Sequence, residues 1–141
     1  MALAAAPAQA QNCNGPAGQA RMFVNVTGVR SATGQIAVTL YPDVRSRFLA
    51  RGGSMYVARV PARAGTTRVC LNLPATGVYA IGVYHDANAN RRIDRTVIGL
   101  PAEAYGFSNN PRGLLGLPSF SRVRLTVPRT NMQTTISLTY P

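Results

Sequence analysis

The chain has 141 residues and carries 15 basic residues, all arginine, against 4 acidic ones, for a net charge of +11. That length suits one domain with one core, and the charge implies attraction to polyanions. No stretch approaches the roughly 20 consecutive apolar residues that a bilayer-spanning helix needs, so a transmembrane chain is not expected.

Ala2 to Gln11 reads as the tail of a secretory signal, with the small-x-small pattern Ala8-Gln9-Ala10. Cleavage after Ala10 would leave a chain beginning at Gln11. The missing basic segment and the short apolar run imply a truncated or misplaced start. Residues 1–19 are taken as signal remnant and N-terminal arm, and residues 20–141 as a β-sandwich domain. The expected location is periplasmic, outer-membrane-associated or secreted. Export brings an oxidising compartment, in which Cys13 and Cys70 either form a disulfide or stay as two thiols.

Short alternating segments follow one another between Gly, Pro, Asn and Asp turns, and none keeps a helical period for three turns. Met22 to Thr27, Ile36 to Tyr41, Met55 to Val60 and Thr67 to Leu73 each present one apolar row. In the last of these, Cys70 points to the less buried face, so a bond to Cys13 would pin the arm outside a sheet. Residues 44 to 50 could form one helical turn. Val78 to Tyr84 is apolar on both faces, as in a strand at the middle of an assembly. Ser121 to Val127 and Thr134 to Tyr140 alternate again. About seven strands of this kind imply an all-β, antiparallel sandwich, immunoglobulin-like in its general architecture.

Between the last strands runs an irregular segment from Asp86 to Ser119, longer than the roughly 15 residues a compact domain usually leaves unstructured unless the loop is functional or braced. Three of the four acidic residues lie in it. Asp86, Asn88 and Asn90 stand at alternate positions, followed by the carbonyl of Arg92, by Asp94 and by Glu103, a spacing suited to the oxygen shell of Ca2+. Position twelve is Val97, so the loop is not an EF-hand. The alternative is an Asx-rich turn whose side chains cap their own backbone and pair with nearby arginines. One histidine and a distant cysteine pair make a poor zinc set.

The runs Leu73-Pro74-Ala75-Thr76-Gly77-Val78-Tyr79-Ala80-Ile81, His85-Asp86-x-Asn88-x-Asn90, Gly99-x-Pro101-x-Glu103 and Tyr105-Gly106-Phe107-Ser108-Asn109-Asn110 resemble the bacterial domain of unknown function family 2141. The likeness covers about residues 20 to 140. It implies an exported protein with a transthyretin-like (prealbumin-like) β-sandwich, and it implies no particular activity. This chain has Asn90-Arg91-Arg92 where the family usually has Asn-Gly-Lys, so Arg91 must make a backbone turn that glycine makes more easily.

A hydrolase would need a nucleophile and a base oriented by a third group. His85 and Asp86 are strand neighbours and point to opposite faces, and Ser108 is merely the nearest hydroxyl, so no catalytic residue is assigned and no enzyme is expected. The expected function is a non-catalytic exported module. Its Ca2+-braced loop would present Tyr105, Phe107, Asn109, Asn110 and Arg112 to an acidic or neutral glycan, to lipopolysaccharide or to an envelope protein. Loop packing is the plain alternative for each of those five. The rival role is structural: homo-oligomers or fibres built by strand addition through the arm or an edge strand such as Met22 to Thr27. Nucleic acid would bind only nonspecifically, through Arg68, Arg122 and Arg124.

Overall fold

The computed structural model describes residues 13–91, 103–112 and 117–140. Eight strands are present: β1 (Ala20–Val29), β2 (Gln35–Pro42), β3 (Tyr56–Pro61), β4 (Gly65–Leu73), β5 (Gly77–Asp86), β6 (Tyr105–Phe107), β7 (Leu125–Val127) and β8 (Met132–Ser137). They form a two-sheet, all-β sandwich. One sheet has the order β4-β1-β8, and the other has β3-β2-β5-β6 with β7 also paired to β5.

Alternation places the core. Met22, Val24 and Val26 of β1 and Val69, Leu71 and Leu73 of β4 turn inward to meet Ile36, Val38 and Leu40 of β2 and Ile81 and Val83 of β5. Each such side chain contributes roughly 1.5–3 kcal/mol on burial. Strand β5 is buried along nearly its whole length on both faces, as its two-sided apolar run predicts.

Several details depart from the sequence reading. Met22 to Thr27 is no edge strand: β1 is central, antiparallel to β4 and parallel to β8. The parallel pair breaks the expected all-antiparallel pattern. It is permitted because the whole second sheet separates β1 from β8 along the chain, ample for a crossover. The segment read as wholly irregular contains β6. Ser121 to Val127 begins as a one-turn helix, α1 (Phe120–Val123), before β7. Phe120 and Val123 lie three apart on one helical face and are buried there, a contact that strand alternation alone does not anticipate. The turn expected within residues 44 to 50 is a 3-10 turn at Arg45–Arg47.

Cys13 and Cys70 are joined. The arm runs beside β4 through a parallel bridge between Asn14 and Leu71, in which Asn14 donates to the Cys70 carbonyl and Asn72 donates to that of Asn14. It covers the edge of the smaller sheet rather than its outer face. On the other edge of that sheet, the Asn110 amide donates to the Thr135 carbonyl and accepts from the Ser137 N–H, standing in for a ladder partner along β8.

Candidate functional site

The outer face of the larger sheet carries two adjacent cross-strand rows. Strand pairing aligns Val57, Thr39, Gly82 and Phe107 in one row and Arg59, Ala37, Tyr84 and Tyr105 in the next. Ala37, Thr39 and Gly82, the small residues among those of β2 and β5, make a trough between β3 and β6, with Tyr84 standing in its second row. Gly82 matters here because a Cβ would stand 3.3 Å from the Phe107 ring, which leans over it. Glycine inside a central strand commonly marks such a close approach.

Leu49, Ala50, Arg51 and Ser54, from the segment between β2 and β3, line the same hollow, as does Leu117. Together they enclose a cleft of about 470 Å³, within the usual range for small-molecule sites. One end is closed by aromatic packing. Phe48 lies 5.2 Å from Tyr41 and 5.9 Å from both Phe107 and Phe120, ring centroid to centroid. This second apolar cluster also buries Ala80 and Val123, and it fixes the cleft wall independently of the main core.

The other end is cationic. Arg59 Nη2 donates to the Tyr84 hydroxyl at 3.3 Å and to the Arg91 carbonyl at 3.1 Å. Its Nη1 is buried, lies 3.5 Å from Asp86 Oδ2, and hydrogen-bonds to no described residue. Burial pushes the Tyr84 phenol above its ordinary pKa, opposed by the hydrogen bond from Arg59.

Asp86 ends β5 and is fully buried. Its Oδ1 accepts the Asn90 N–H at 3.1 Å and its Oδ2 accepts the Arg91 N–H at 2.7 Å, while Asn88 Oδ1 also accepts from Asn90 at 3.3 Å. Ala89 (φ 54°) and Arg91 (φ 66°) take left-handed backbone. Arg91 thus makes a left-handed turn that glycine makes more easily, at a strain of about 1 kcal/mol. In the described part of the loop Asp86 and Asn88 accept backbone N–H groups as in an Asx-type turn, and the Arg59 guanidinium stands 3.5 Å from the Asp86 carboxylate. Among the described residues no three His, Cys, Asp or Glu side chains are grouped as a metal would need. Arg92 and Asp94, two of the six expected ligands, lie outside the described residues, and Glu103 lies close enough to act electrostatically on Tyr84.

Of the five residues expected to meet a ligand, Tyr105 and Phe107 line the cleft. Asn109 instead donates to the Arg124 carbonyl at 2.7 Å, Asn110 braces β8, and the Arg112 carbonyl accepts from Arg122. Both asparagines have positive φ, a conformation asparagine tolerates better than most residues. His85 and Asp86 do face opposite ways: His85 Nε2 donates to the Thr33 carbonyl at 2.7 Å, away from the Asp86 turn. The buried Ser108 hydroxyl donates to the Val123 carbonyl and accepts from the Ile81 N–H. Val57, Arg59 and Arg51 also line the cleft, and alternation along the sequence does not single them out. Gly82 within an apolar strand was the signal that could have drawn attention to the trough.

The fold and site define an all-β sandwich with an aromatic, arginine-rimmed cleft on the outer face of its larger sheet. The chain belongs to the family described as "Uncharacterized protein conserved in bacteria (DUF2141)", whose model matches residues 24–136. No curated protein and no solved structure matches it.

Proposed function

We propose that the chain is an exported, non-catalytic binding module that takes an envelope ligand, a glycan, lipopolysaccharide or another envelope component, in the cleft between β3 and β6. The observation that carries this reading is the pair of cross-strand rows, which set Tyr84, Tyr105 and Phe107 beside Arg59 around a floor of Thr39 and Gly82. Aromatic faces suit flat apolar surfaces, and guanidinium forks suit phosphate and carboxylate. The Cys13–Cys70 disulfide supports export, since such bonds persist in oxidising compartments.

Ca2+ is the second element of the proposal, held by Asp86, Asn88, Asn90 and Glu103 with the Arg92 carbonyl and Asp94. Its support is the Arg91 turn: residue six from Asp86 has positive φ and donates to that carboxylate, as the glycine of a calcium loop permits. The ion would share Asp86 with Arg59.

Lipopolysaccharide pull-downs and glycan arrays at physiological salt test the binding reading. Retention lost in Tyr105→Ala and Arg59→Gln is expected. No retention of the wild type on any envelope component contradicts it.

A structural role keeps one specific observation in its favour: among the described strands β3 pairs with β2 alone. Strand addition there would give concentration-dependent assembly in size-exclusion chromatography and fibres or rings in negative stain.

A further inference from the structure

We infer that the cleft accepts a single-chain anionic amphiphile, with its charged head at the Arg59 and Arg91 end and its alkyl chain over Gly82 toward Phe107. This rests on the reading of the cleft as the binding site and names the chemistry of its ligand.

Four large apolar residues are prominently exposed among the described residues, and three of them, Leu49 (41%), Val57 (39%) and Leu117 (37%), line this one cleft. Exposed apolar side chains scattered singly need no explanation, but three converging on one concavity mark an apolar ligand or partner. The polarity runs along the trough. The row containing Arg59 and Tyr84 lies beside the row containing Val57, Gly82 and Phe107, and beyond that come Tyr41 and the aromatic cluster.

The charge has one sign on the lining itself. Arg51, Arg59 and Arg91 line the cleft, and no acidic or amide side chain does so among the described residues. Asp86 lies buried behind Arg59, its oxygens engaged by the Asn90 and Arg91 N–H groups, and Glu103 acts on Tyr84. Acceptors among the lining side chains are the neutral hydroxyls of Thr39, Tyr41, Ser54, Tyr84 and Tyr105, so the lining's charge is wholly cationic. Guanidinium groups only donate, which suits a carboxylate or phosphate ester.

The shared chemistry is an anionic head on an alkyl chain, found in free fatty acids and in phosphorylated lipids. Titration calorimetry with dodecanoate and with dodecyl phosphate, each below its micellar concentration, separates those two sources. Binding of either, with dodecyl maltoside and dodecyltrimethylammonium failing to bind, is the expected result. Arg59→Gln should weaken binding about tenfold or more, the loss of one charge-assisted contact. Because Arg59 also pairs with Asp86, Val57→Asp and Leu49→Asp, at exposed positions, are the second test and should also weaken binding at least about tenfold while near-ultraviolet dichroism stays native. Equal binding of the maltoside, or unchanged affinity in Val57→Asp and Leu49→Asp, overturns the inference. A glycan retained by the wild type and lost in Tyr105→Ala, with no amphiphile bound, overturns this inference alone and leaves the binding-module reading standing.

Discussion

The guanidinium of Arg59 stands 3.5 Å from the buried carboxylate of Asp86 while its other nitrogen bonds Tyr84 and the Arg91 carbonyl. One side chain therefore belongs both to the brace of the Asp86 turn and to the wall of the cleft. Whatever alters the turn should reach the cleft through it.

Asp86→Ala removes two backbone N–H acceptors and leaves Arg59 Nη1 without its ion partner. It should cost about 3 kcal/mol in denaturant unfolding. The same variant tests calcium. Millimolar Ca2+ added to chelated wild type should raise the melting temperature, and Asp86→Ala should abolish the gain. An unchanged wild-type melting curve removes the cation from the account and leaves Asp86 as the cap of its own turn.

Arg91→Gly should stabilise the protein by about 1 kcal/mol, because the position holds φ 66° with an exposed side chain. The N–H bond to Asp86 survives the change. Ligand affinity should fall in the same variant, since Arg91 lines the cleft. A variant that loses stability would show that the arginine side chain contributes more than its backbone strain costs.

Cys13→Ser should lower stability by about 2–4 kcal/mol, the usual effect of opening a long loop, here spanning 57 residues. It also loosens the hold of Asn14 on the β4 edge. Faster hydrogen exchange at Asn72, whose N–H bonds the Asn14 carbonyl, would report that loosening. Unchanged exchange would mean that the arm's backbone bonds hold without the covalent link.

Burial pushes the Tyr56 phenol from its ordinary 10.0 up to about 12, and its hydroxyl donates to the Asn72 carbonyl at 2.6 Å. The folded chain therefore keeps this proton to higher pH than the unfolded chain. The stability it contributes is complete below about pH 10 and is lost as pH rises from there through about 12. Tyr56→Phe should lose about 1 kcal/mol at neutral pH and show a shallower alkaline decline. Identical slopes in the two proteins would contradict the assignment.

Much of the sandwich is legible in the sequence because its strands are half-buried. Met22, Val24 and Val26 can only share a face if the chain is extended, and Val78 to Tyr84 needs cover on both sides. The parallel β1–β8 pairing is not legible, because alternation fixes which way a side chain faces and not which strand lies beside it. Strand β6 escapes notice because it has three residues with Gly106 at the centre, where a Cβ would stand 2.7 Å from the Ser137 carbonyl oxygen. The site divides in the same way. Tyr105 and Phe107 stand out as aromatics in a loop rich in glycine and proline, whereas Val57 and Arg59 join them only through strand pairing across β2 and β5.

Amide NMR of the labelled protein, titrated with lipopolysaccharide fragments and soluble envelope glycans, tests the cleft most directly. Shifts should concentrate at Thr39, Val57, Gly82, Tyr105 and Phe107, and Tyr105→Ala should suppress them. Saturable shifts centred instead on Asn109, Asn110 and the outer face of the β4-β1-β8 sheet, or no shifts at all, would contradict the assignment of ligand binding to this cleft.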